Sequence, residues 1–194
     1  AWSPDGSRLA VGTVNALCDG TRAVVRLWDV ASEEEIHALM GPGFMGEVTW
    51  GIEGDWVASC GLNGILGVWD PGNGSELHGL QWWSEGLAQS VAWSADGARF
   101  ASGHQDAAVR VWEAGSGKEL TTLEARGPVV RAIAWSPDGI KLASAGGWGK
   151  DSTRKFDPVT EAEALSSIQD DEGTVWVWNS ETGWGVGLSG LETT

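Results

Sequence analysis

The sequence predicts an all-β array of four consecutive four-stranded antiparallel units. Three observations carry that prediction. The opening phrase "AWSPDGSRLA" (Ala1 to Ala10) returns as "TWGIEGDWVA" (Thr49 to Ala58), "AWSADGARFA" (Ala92 to Ala101) and "AWSPDGIKLA" (Ala134 to Ala143). A second marker follows each copy: "VVRLWDV", "ILGVWDP", "AVRVWEA" and "TVWVWNS". A third run comes after that: "EIHALMG", "SELHGLQ", "KELTTLE" and "WGVGLSG". Self-similarity at a fixed period marks a repeat architecture and comes before any residue-level reading.

Each element has a local reason. In Ser-Pro-Asp-Gly, proline presets φ at the first central position, Asp bonds its own backbone, and Gly accepts positive φ. Apolar flanks on either side make the phrase a β-hairpin, strands a and b. Trp2, Trp50, Trp93 and Trp135 precede the turns. The second marker is strand c, rich in Val, Leu and Trp and stopped by turn residues. Its tryptophans are Trp28, Trp69, Trp112 and Trp178. The third run is strand d. The units span about residues 1–40, 46–81, 87–124 and 129–190, in one domain of residues 1–194.

The repeated turn and the Trp-Asp marker make the chain resemble the WD-repeat (WD40) family of β-propellers, in its bacterial style. Trp28-Asp29 and Trp69-Asp70 carry the family dipeptide, and Trp112-Glu113 and Trp178-Asn179 are variants. The TolB-like propellers also use "WSPDG" but lack the regular Trp-Asp. The resemblance covers almost the whole chain, and the period matches the roughly 40–45 residues of a propeller blade. It implies four blades with their strand-c tryptophans buried. The chain starts without Met and inside a strand a, so it reads as an open arc cut from a larger ring of about seven blades. Self-closure of four blades is the alternative.

The resemblance also implies a hydrogen-bonded tetrad in each blade: a His before strand a, a Ser or Thr in strand b, an Asp in the b–c turn and the strand-c Trp. Blade three matches at Ser102, Asp106 and Trp112. Blade two offers Ser59, Asn63 and Trp69, and blade four offers Ser144 and Trp178. Blade one keeps Trp28 alone, with Val11 and Arg22 in place of the Ser and Asp. No blade has a His before strand a.

Composition bounds the rest. The chain has 194 residues, 42% of them hydrophobic, with 14 Trp, no Tyr and 29 Gly. Its net charge of −15 argues against a nucleic-acid partner, which needs a basic footprint. No apolar run is long enough to span a membrane, so no membrane partner is expected. Cys18 and Cys60 lack metal spacing and read as reduced thiols of a cytoplasmic protein. His37 and His78 are equivalent strand-d positions and read as a solvated pair rather than a metal site. "GGWGKDST" fails the phosphate-loop spacing. No nucleophile–His–acid set can be assembled, and no cofactor or metal is expected.

Two b–c connections exceed the short default. One is "TVNALCDGTRA" (Thr13 to Ala23). The other is about residues 148–172, in which Pro158 to Ile168 reads as a short helix behind an Asp157 N-cap. The resemblance places both on the face that also carries the d–a connections, the usual partner-binding face. Trp82, Trp83 and Trp148 reach the same face, with Arg126, Lys150, Arg154 and Lys155 as a basic rim. Exposed Trp beside Arg or Lys is typical hot-spot chemistry. Trp56, Trp176 and Trp184 read as packing between blades. The reading is a non-catalytic protein-interaction scaffold with a protein partner, and the isolated chain is expected to self-associate. A regulatory propeller joined to a kinase or NTPase domain is the second reading. A ligand-binding or enzymatic propeller using the central channel is the third.

Overall fold

The computed structural model describes residues 1–17, 20–42, 45–61, 65–81, 86–124, 129–146, 174–180 and 182–188. Four separate antiparallel sheets follow one another along the chain. Sheet one holds β1 (Arg8–Leu17), β2 (Gly20–Asp29) and β3 (Glu34–Pro42). Sheet two holds β4 (Met45–Trp50), β5 (Val57–Gly61), β6 (Ile65–Trp69) and β7 (Glu76–Gln81). Sheet three holds β8 (Ala88–Trp93), β9 (Arg99–His104), β10 (Ala108–Glu113) and β11 (Glu119–Glu124). Sheet four holds β12 (Ala132–Trp135), β13 (Lys141–Gly146), β14 (Thr174–Asn179) and β15 (Gly185–Leu188). Strands are neighbours in chain order within every sheet. In sheet one, strand a is a stub: Trp2 bridges Leu9, and the Ala10 N–H donates to the Ala1 carbonyl at 2.8 Å.

The turns explain why the phrase repeats. The N–H groups of Gly6, Gly97 and Gly139 each donate at 2.9 Å to the carbonyl three residues back, on Ser3, Ser94 and Ser136. These glycines have φ between 66° and 69°, a region costly for a residue with a Cβ. The serine hydroxyl meets the turn's Asp at 2.6, 2.5 and 2.6 Å and accepts the N–H of Arg8, Arg99 or Lys141. That serine bond is the chief reason Asp5, Asp96 and Asp138 are held below the usual carboxylate value.

Strand c meets strand d with a bulge at the marker Trp in sheets one, two and three. Each bulge turns one apolar residue to solvent: Ile36, Leu77 or Leu120. This accounts for three exposed aliphatics, since the extra residue of a bulge is unpaired and re-aimed.

The cores lie between sheets. Ala10, Val25 and Leu27 of sheet one pack on Trp50, Val57 and Trp69. Ala58, Leu66 and Val68 of sheet two pack on Val91, Phe100 and Trp112. Ala101, Val109 and Val111 of sheet three pack on Ile133, Leu142 and Trp178. Among the described residues no core joins sheet four to sheet one. The four sheets form an open arc.

One expectation is corrected. Thr13 to Ala23 is not a loop insertion. β1 and β2 run on through it in register, Thr13 opposite Val24 and Leu17 opposite Gly20. β3 follows alongside as far as Pro42 opposite Arg22. The backbone groups of the two strands therefore pair with each other instead of remaining in a loop. The connection at about residues 148–172 and its helix lie outside the described residues.

Candidate functional site

Three sheets bury an indole N–H against a strand-b hydroxyl. Trp69 donates to Ser59 Oγ at 3.2 Å, Trp112 to Ser102 Oγ at 2.8 Å, and Trp178 to Ser144 Oγ at 3.0 Å. The sheet register makes this possible. Ser102 stands opposite Arg110 and Phe100 opposite Trp112, so the serine is a diagonal neighbour of the Trp on one face.

Blade three extends the chain of bonds. Ser102 Oγ lies 2.7 Å from His104 Nε2, and His104 Nδ1 lies 2.8 Å from the Gly86 carbonyl. The carbonyl can only accept, so Nδ1 carries the proton and Nε2 accepts from the serine. The bonds then run in one direction: Trp112 to Ser102, Ser102 to His104, His104 to Gly86. Burial, the largest influence, pushes His104 below its ordinary value of 6.5, which keeps the ring neutral in this role. Gly86 is needed where it stands: a Cβ there would come within 2.5 Å of the Asp106 carboxyl.

This alters the tetrad that the resemblance implied. No His stands before strand a, but His104 at the end of strand b does that work. The signal was present in "SGH", since residues two apart on a strand face the same way. Asp106 is not bonded to the Trp–Ser–His chain. It takes Arg110 at 2.6 Å and the Ala108 N–H at 3.1 Å. Burial works to raise the Asp106 carboxyl, but the Arg110 and Ala108 bonds outweigh it and hold it below the usual value. In blade one, Val11 replaces the serine and Trp28 is half-buried with no side-chain hydrogen bond among the described residues. Asn63 lies outside the described residues.

The seams between sheets have a second recipe. Arg8 lies over the Trp50 ring, 4.9 Å from its centroid, and reaches the Gly54 carbonyl at 3.4 Å. Arg99 lies over Trp135 at 5.1 Å and donates to the Gly139 carbonyl at 3.0 Å. Trp50 and Trp135 donate in return to the Ala1 and Ala92 carbonyls of the preceding sheet. His37 and His78 do not lie side by side. Each contacts a carbonyl in the next sheet's c–d turn, Gly72 or Ala114, at 3.2 Å.

The a–b and c–d turns share a face. Val30, Ala114 and Ser180, in the c–d turns, donate backbone bonds to Ser7, Ala98 and Ile140 in the a–b turns. The acidic run from Glu33 to Glu35 is on this face. The b–c and d–a connections lie at the other ends of the strands. Trp82, Trp83, Arg126, Trp148, Lys150, Arg154 and Lys155 all lie outside the described residues. Trp56 packs across a seam as expected, 5.7 Å from Trp93, and Trp176 stacks on Trp178 at 5.2 Å. Trp184 is a correction. It is 72% exposed, because it stands in the c–d turn just before β15, where its carbonyl takes the Asn179 N–H as Ser75 and Lys118 take theirs in blades two and three.

Among the described residues no three His, Cys, Asp or Glu side chains gather as a metal site. No described helix is long and apolar enough to cross a membrane. Cys60 is a buried free thiol pushed up to about 12, chiefly by burial, so it is a packing residue rather than a nucleophile.

Residues 84–138 match the family model described as the anaphase-promoting complex subunit 4 WD40 domain. The match covers sheet three, β12 and part of the turn that follows it. No curated protein matches the chain. Together with that match, the four consecutive antiparallel sheets are WD40-like and consistent with a partial β-propeller.

Proposed function

We propose that this domain is a non-catalytic protein-interaction scaffold whose partner sits on the face of the b–c and d–a connections. One observation carries the reading: the ribbon of β1, β2 and β3 extends the b–c end of sheet one, where β1 and β2 are 10-residue strands against 5 residues for β5 and β6. A projection from one face of a repeat array offers a docking edge on that face. The matching family model is described as a subunit of a complex, which supports an assembly role. Trp82, Trp83 and Trp148 would anchor the partner, with Arg126, Lys150, Arg154 and Lys155 as the rim. Replacing Trp83 or Trp148 with Ala should weaken partner capture and leave the far-UV circular dichroism unchanged. Capture indifferent to both replacements would overturn the assignment.

The chain's self-association is a second proposal. Trp2 is 59% exposed, whereas Trp50 and Trp93, the equivalent residues at two seams, are buried. Uncovered blade flanks favour contact with another blade. Light scattering after size exclusion should show species larger than a monomer at tens of micromolar. A stable monomer there would contradict it.

A further inference from the structure

The three seams are built alike except at one position. The residue two after the turn glycine, where strand b starts, covers the strand-a Trp of the next blade. It is Arg8 at the first seam and Arg99 at the third, and both guanidinium groups bond a turn glycine carbonyl. At the second seam the position holds Trp56, tilted at 51° to Trp93. Among the described residues no guanidinium is placed over Trp93.

A cleft of about 180 Å³ opens there, lined by Glu53, Asp55, Trp56, Trp93, Asp96 and Gly97. Gly97 is the turn glycine equivalent to Gly54 and Gly139, the acceptors at the other seams. Its carbonyl takes no hydrogen bond among the described residues. Glu53 and Asp55 are exposed and form no ion pair among the described residues. Asp96 lies 3.9 Å from Arg99, whose guanidinium is turned to Gly139 and Trp135. Among the described residues the Trp93 indole N–H is buried without an acceptor, unlike those of Trp50 and Trp135; as a donor it takes no part in holding a cation, which only the ring face, the carbonyl and the carboxylates can do. The cleft therefore has aromatic walls, an open carbonyl and carboxylates, in a chain of net charge −15.

We propose that this cleft binds a guanidinium group supplied from outside, the arginine side chain of a peptide or protein. The chain twice shows the geometry such a group adopts against a seam Trp and a turn carbonyl. A planar cation with several N–H donors stacks on Trp and bonds carbonyl and carboxylate together. A quaternary ammonium would gain the ring contact but could not donate to Gly97. The site is on the a–b face, opposite the partner face proposed above, and does not depend on that reading.

Methylguanidinium and N-acetyl-arginine amide are the probes, titrated into the full chain at constant ionic strength and followed through indole N–H resonances. Both should shift the Trp56 and Trp93 signals saturably, and tetramethylammonium should bind more weakly. Trp56→Arg places a guanidinium in the seam as at positions 8 and 99, so the probes should bind roughly tenfold more weakly. Should that variant fail to fold, Glu53→Gln with Asp55→Asn, both surface changes, should still weaken binding several-fold. Absence of saturable shifts, equal binding of tetramethylammonium, or indifference of both variants would each overturn the proposal.

Discussion

Blades three and one begin with nearly the same phrase and end at the same Trp marker, yet they treat that Trp differently. In blade three Trp112 is 2% exposed and its N–H enters the chain through Ser102 and His104 to Gly86. In blade one Val11 offers no acceptor, and Trp28 remains half-buried. The marker Trp of blades two, three and four packs on the sheet before it, whereas no described sheet precedes Trp28; the network satisfies the N–H of an indole that this packing buries. A buried N–H without a partner carries a desolvation penalty. Blade one avoids that penalty by leaving its Trp partly wet, and carries longer strands in β1, β2 and β3.

The largest break in the comparison is Ser102→Ala. It strips an acceptor from Trp112 and a donor from His104 inside the protein. The expected loss is about 2–4 kcal/mol, read from the urea midpoint at unchanged slope. A loss no greater than that of an exposed Ser→Ala would remove the network from the account.

The second break is pH. His104 has a folded value lowered by burial from 6.5, so the unfolded chain binds more protons in the window just below 6.5. Its contribution to stability is full above that value and is lost as pH falls through the window. The lowered turn carboxylates titrate below their ordinary 3.8, clear of this limb. Urea midpoints from pH 7.5 down to 5 should fall, and His104→Asn should flatten the fall. Equal slopes in both proteins would assign the limb elsewhere.

The smallest change sharpens the contrast from the other side. Val11→Ser puts a hydroxyl at the register that Ser102 occupies in blade three. Stability should change by less than about 1 kcal/mol, because Trp28 is not fully desolvated. Exchange of the Trp28 indole proton should slow, and unchanged exchange would mean that register alone does not create the bond.

Much of this blade architecture was legible before any coordinates. Ser-Pro-Asp-Gly closes within four residues, its hydroxyl and carboxyl bonding to backbone nearby, so the hairpins could be read directly. Strand-c tryptophans were legible from the repeated marker, and Ser59, Ser102 and Ser144 were reached only through the tetrad that the family resemblance implies, since their bonds to Trp span 10 to 34 residues. His104 was not found because the resemblance directs attention to the d–a connection. The partner of its Nδ1, Gly86, is 18 residues away.

The sequence by itself determined the repeat frame, the turns and the strand order, because these depend on φ preferences and hydrogen bonds within a few residues. Tertiary structure decided the rest. Thr13 to Ala23 became ribbon because β3 returned alongside it. Trp184 was left in solvent because it stands in the c–d turn that leads into the edge strand β15. The seams were decided there too: Trp50 reaches Ala1 across 49 residues and Trp135 reaches Ala92 across 43. Whether a cation, an aromatic ring or a cleft lies over a seam Trp depends on the next blade. No local pattern encodes that contact, because packing couples residues a whole repeat apart.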